Sequence, residues 1–254
     1  FTNTKNIDSA VAVGNAAKVG DSNTVAVGKA AEAAGLSSTA IGETAAALKQ
    51  NGIAIGKNAK AGTSAATASS DADAVAIGTD SAAYEKDTVA LGNTAKATAD
   101  SATALGKGAK ASQVYATAVG LDTVADGNSA LAAGSGAAAR ANSATAVGND
   151  AQALGTDASA FGRDAQAAEE HTVAVGSSTR ATAAGAIAVG NDAQATAADA
   201  AAIGKHSRAS STRATAVGNS ANAAGVSSVA VGDNAQAQND YAVSIGAGSA
   251  ASAI

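Results

Sequence analysis

The sequence predicts an all-β fold, a parallel β-solenoid of short stacked coils. Three observations predict it. First, a small–apolar–Gly tripeptide recurs 17 times, at Gly14, Gly28, Gly42 and Gly56 and then every 14 residues from Gly78 to Gly246. Fifteen of the 16 intervals are 14 residues, and Gly56 to Gly78 is 22. Second, the local apolar period is two, as in Ala193-Gln194-Ala195, which suits a strand. Third, the segments before the glycines are β-branched, as in Val25-Ala26-Val27-Gly28. Alanine alone would favour helix, but a glycine every 14 residues costs about 1 kcal/mol each inside one.

Each coil can be read in order. The first strand ends at the glycine; two before it stands Ala in every copy but the last, where it is Ser244. One before it stands Val, Ile or Leu, except Ala133 and Phe161. The glycine itself supplies a permissive backbone where the chain leaves this strand. Asn and Asp after it, as in Gly148-Asn149-Asp150 and Gly190-Asn191-Asp192, are turn residues. A second strand follows, with Ala, Ser or Thr three after the glycine and Ala five after it, Val19 excepted. The position between is more often polar: Lys18, Glu32, Lys60, Lys96, Lys110, Gln152, Gln166, Arg180, Gln194, Arg208. Stacked coils would each add about 4.8 Å. The expected organisation is one domain over 1–254, about 17 coils, with an outward insertion near 62–73 where the interval lengthens.

The second strand should bury its alanines and turn its polar residue to water. The first strand is apolar on both faces, so both should be buried. One face can look into the coil, and an identical chain would cover the other. The pattern leaves open which is which. The preferred reading packs Val/Ile against the alanines of the second strand and turns the alanine column to the symmetry axis.

Composition excludes several function classes. There is no Cys, Pro, Met or Trp, and there are only two His. Disulfide frameworks, thiolate zinc sites and cysteine nucleophiles are excluded. Net charge is −5, which does not suit nucleic-acid partners. No stretch of 18 apolar residues exists to span a membrane as a helix. No catalytic residue, cofactor or metal site is expected, and the chain does not read as an enzyme. His171 and His206 occupy different repeat columns, and Asp122, Asp150, Asp164 and Asp192 read as surface turns rather than calcium ligands.

The repeat carries a family resemblance. Val25-Ala26-Val27-Gly28, Ile53-Ala54-Ile55-Gly56 and Thr145-Ala146-Val147-Gly148, with a small residue three after the glycine, resemble the YadA-like head repeat. That repeat belongs to trimeric autotransporter adhesins of Gram-negative bacteria. The resemblance covers about residues 8–252. It implies a left-handed parallel β-roll assembled as a homotrimer, secreted by the type V route and displayed at the bacterial cell surface. It also implies a stalk and an outer-membrane barrel. No heptad stretch, barrel strand or neck motif follows Gly246, so membrane anchoring is expected through parts outside this chain.

The implied partners are host extracellular-matrix protein, glycan or an abiotic surface. The candidate ligand-facing residues are Lys18, Lys60, Lys96, Lys110, Arg180 and Arg208 on the second strands, with the rare aromatics Tyr84 and Tyr115. For the charges the alternative is a solvated face neutralised by the acidic turns; for the tyrosines it is turn capping. Three other classes compete. A passive spacer would place the ligand site elsewhere. An ice-binding solenoid needs a regular Thr-x-Thr ladder, and Thr39, Thr103, Thr117, Thr145 and Thr215 supply only an intermittent column. Trimeric hexapeptide-repeat acyltransferases need a longer coil and a catalytic His.

Overall fold

The computed structural model describes residues 8–63 and 73–252, and every regular element among them is a β-strand. The contacts divide the chain into two compact units, Phe1–Ser129 and Ala130–Ile254. The first unit carries eight two-strand turns, from Val11–Val13 to Val124–Ala125, and the second carries nine, from Leu131–Ala133 to Ala250–Ala251. Each unit is a parallel β-solenoid, and the 14-residue spacing of the sequence is the length of one coil.

Pairing is parallel and in register. Val173 stands opposite Ile187, Ala174 opposite Ala188 and Val175 opposite Val189. In the other sheet Gln194 pairs with Arg208 and Ala195 with Ala209. The 22-residue interval does not break the stack, because Ile53 pairs with Val75 and Lys60 with Ala82. The expected insertion near 62–73 falls mostly on residues 64–72, which lie outside the described residues. Backbone bonds link the coils at strands and turns alike. Lys96 N–H donates to the Ala109 carbonyl at 2.8 Å, and Asp150 N–H donates to the Ser135 carbonyl at 2.9 Å. A proline would remove one of these donors, and the sequence has none.

Both corners of the coil depend on left-handed backbone. The residue two after the repeat glycine and the residue nine after it adopt positive φ, as at Asp150 (55°) and Asp157 (56°). Asn, Asp and Ser tolerate this region because their short side chains bond locally. Bulky residues enter it too, including His171 (φ 56°), Arg213 (59°) and Tyr115 (60°). The stacked neighbours fix the backbone there whatever the side chain.

The interior is a column of methyls and hydroxyls. Ala146, Ala151, Ala153 and Ala158 in one coil are all fully buried. These stand two before, three after, five after and ten after the glycine. Where Ser or Thr replaces alanine, its hydroxyl in most coils bonds the carbonyl three residues back; the buried Ser38 hydroxyl is an exception and has no partner. Thr179 donates to Gly176 O at 2.8 Å and Thr172 to Glu169 O at 2.6 Å. Ser244, the one departure in the alanine column, meets Ser249 across the interior at 2.7 Å. Thr172→Val keeps the shape and deletes the bond. It is expected to lower stability by about 1 kcal/mol, read as a lower urea midpoint with unchanged slope.

The first strand is oriented opposite to the expectation that its Val and Ile residues pack inside the coil. The alanine column faces the coil interior: Ala26, Ala54, Ala104, Ala146 and Ala202 are all fully buried. The Val, Ile and Leu residues beside it face outward, and none of them is buried among the described residues. The reason is volume. Two strands joined by tight corners leave an interior only wide enough for Ala, Ser, Thr or Gly, so the larger side chains are forced out.

Candidate ligand-facing surface

Each unit presents two outer faces of unlike chemistry. The first sheet shows its Val, Ile and Leu residues, with Ile41 38%, Leu91 46%, Phe161 40% and Ile203 42% exposed. An apolar face of this kind marks an interaction surface. The intermittent threonines, such as Thr145, stand on the same face beside branched aliphatics such as Leu131. The second sheet shows the polar column.

The structure places all six predicted basic residues on that second sheet, exposed. In the first unit Lys96 stands directly opposite Lys110, and Lys60 is separated from Lys96 only by Ala82. Lys18 faces Glu32 in the register. In the second unit Arg180 and Arg208 flank Gln194. The column is not uniformly available. Lys110 Nζ lies 2.8 Å from Asp126 Oδ1, and the Ser112 hydroxyl bonds the same carboxylate oxygen. The tyrosines separate. Tyr84 is half-buried at the end of the second strand near Lys60 and Lys96. Tyr115 is 64% exposed on the opposite corner, away from the basic column.

The predicted acidic turns lie at the corner two residues after the glycine, at positive φ. Each histidine pairs with an aspartate of the preceding coil: His171 Nε2 lies 3.7 Å from Asp157 and His206 Nδ1 3.6 Å from Asp192. The two pairs occupy opposite corners. Among the described residues no group of His, Cys, Asp and Glu is arranged to hold a metal ion.

The sequence reading missed a ladder one residue after the glycine, where Glu43 lies between Lys29 (3.9 Å) and Lys57 (3.3 Å). Its signal was the 14-residue spacing of the three charges. Exposed pairs of this kind contribute about 1 kcal/mol at most. The second left-handed corner was also missed; the recurrence of Ser, Asn and Asp nine after the glycine was its signal.

Coils of 14 residues, an alanine interior, an apolar outer sheet and a charged outer sheet define a repeat protein built to present surfaces. The family model described as the YadA head domain repeat (2 copies) matches residues 8–31, 33–59, 69–95, 83–109, 97–123, 153–179, 181–207, 209–235 and 223–249. These stretches cover most of the chain, which belongs to the YadA head family. Membership suggests an adhesin-type function, surface exposure and trimer formation; the family is in general non-enzymatic. Comparison with curated proteins gives no match.

Proposed function

We propose that this chain is the adhesive head of a trimeric bacterial surface protein, acting by binding and not by catalysis. The observation that carries the reading is the opposition of the two outer faces. One sheet exposes a largely aliphatic surface, interrupted by threonines such as Thr145, that water disfavours, and two identical chains cover it about a three-fold axis. The other sheet stays outward with its basic column, including Lys18, Lys60, Lys96, Lys110, Arg180 and Arg208. Repetition along three chains then converts weak contacts into avidity. The ligand is extracellular-matrix protein, host glycan or an abiotic surface, and anchoring to the outer membrane lies in other parts of the protein.

Binding to immobilised collagen, fibronectin, laminin, glycans and plastic tests this. The chain is expected to adhere to at least one. Reversing Lys96, Lys110, Arg180 and Arg208 to Glu is expected to reduce that adhesion about tenfold or more, with a steep dependence on salt. Adhesion to none of the panel would make the chain a passive spacer. Adhesion unchanged by the reversal would remove the basic column from the interface.

A further inference from the structure

The charged sheet is not featureless. A cavity of about 450 Å³ opens on it, centred on the coil of Gly78. Lys60 and Lys96 form its two walls, Ala82 its floor, Tyr84 one end, and Asn58 with Asp80 the other. It exists because Ala82, one of four alanines in the polar column, contributes only a methyl there. Ala82 pairs with Lys60 on one side and Lys96 on the other, so a methyl stands between two lysine stems. Ala82 is only 4% exposed although it faces outward. Two strand spacings set the lysine backbones about 9.5 Å apart, a gap spanned by one sugar ring and its substituents.

We propose that this cavity binds a single anionic sugar residue of a larger glycan. The ammonium groups of Lys60 and Lys96 approach an anionic group from both sides. Neither lysine has an ion-pair partner among the described residues, unlike Lys110. The half-buried Tyr84 ring offers an apolar face to the sugar ring. At the other end Asn58 Nδ2 donates to Asp80 Oδ1 at 2.8 Å, which fixes both side chains at the rim. The other Asp80 oxygen accepts from a sugar hydroxyl. That carboxylate decides between ligand classes. An acidic peptide brings carboxylates, which Asp80 repels, whereas an anionic sugar carries its charge at one end and donating hydroxyls at the other.

The site deepens the adhesive reading and rests on it. Its test uses the whole chain and four probes: sialyllactose and a glucuronate-containing tetrasaccharide, which present carboxylates, a heparin-derived tetrasaccharide, which adds sulfate, and neutral lactose. Binding is followed by calorimetry or by ligand-observed NMR. At least one anionic probe is expected to bind and lactose is not. The three anionic arms distinguish carboxylate from sulfate as the preferred group. Lys60→Ala with Lys96→Ala is expected to weaken binding at least about tenfold, through loss of two charge-assisted contacts. Ala82→Gln keeps both charges and fills the floor. Glutamine already stands at this place in other coils, at Gln152, Gln166 and Gln194, so the variant folds. It is expected to abolish sugar binding, whereas Arg163→Gln with Arg213→Gln, at turns outside the basic column, leaves it unchanged. Binding retained in Ala82→Gln, or matched by an oligo-glutamate peptide, overturns the site. No anionic-sugar binding by a chain that still adheres to matrix protein overturns the site alone. Failure of both overturns the adhesive reading with it.

Discussion

Gly148→Ala is expected to cost the second unit about 4 kcal/mol or more, enough to open the stack at that coil. Gly148 has φ +137°, a region that residues with a Cβ rarely enter. An added Cβ would lie 2.5 Å from the Gly162 carbonyl oxygen and 2.6 Å from its carbon. These are backbone atoms of the next coil, so no side chain can swing aside. The backbone cannot yield either. Gly148 N–H donates to Ala133 O at 2.8 Å, and Gly162 N–H donates to Val147 O at 2.8 Å. Strain at such a φ costs about 1–3 kcal/mol by itself, and the collision adds to it. Gly136→Asn is the matched control. Gly136 has φ +69°, the ordinary left-handed region, and its added Cβ meets only the Asp150 carboxylate, which can move. Asp and Asn occupy this corner in other coils, at Asp150, Asp192 and Asn234. That substitution is expected to change stability by less than about 1 kcal/mol. Urea denaturation of the two variants side by side decides. Equal midpoints would show that the glycine ladder does not hold the coils in contact.

Ile203→Asp with Val175→Asp is expected to dissociate the proposed trimer while leaving each chain folded. Both residues face outward from the first sheet, 42% and 37% exposed in the single chain. In an isolated chain a surface substitution of this sort changes stability by about 0.5 kcal/mol. At a three-fold axis it places six carboxylates in an aliphatic seam. An uncompensated buried charge costs several kcal/mol, and like charges add repulsion. Gln194→Glu and Asn222→Asp, on the opposite sheet of the same unit, are expected to leave the assembly intact. Size-exclusion chromatography with light scattering, alongside circular dichroism, separates the outcomes. A pair of variants with the same mass as the parent would show that the aliphatic sheet is not the joint.

The coil length, its two strands and the outward polar column were all legible in the sequence, because period and alternation are local properties of the chain. The orientation of the first strand was not. Ala146 and its neighbours Thr145 and Val147 alternate correctly, but both faces are small or apolar, so polarity carries no direction. Volume does. Ala146, Ala151, Ala153 and Ala158 are all alanine because they share one narrow interior, and that coincidence was readable. The cavity at Ala82 was hidden for another reason. Its walls come from residues 22 and 14 positions away, and only the continued register across Ile53 and Val75 brings Lys60 beside Ala82. Tyr84 and Tyr115 looked alike as rare aromatics. The coil puts one at the rim of the charged sheet and the other on the far corner.

Sedimentation equilibrium of the parent chain decides whether three chains associate. A single species of three times the 23.6 kDa chain mass is expected, independent of loading concentration over the micromolar range. A species of 23.6 kDa throughout that range would contradict it, and would leave the aliphatic sheet without the covering on which the proposed head depends.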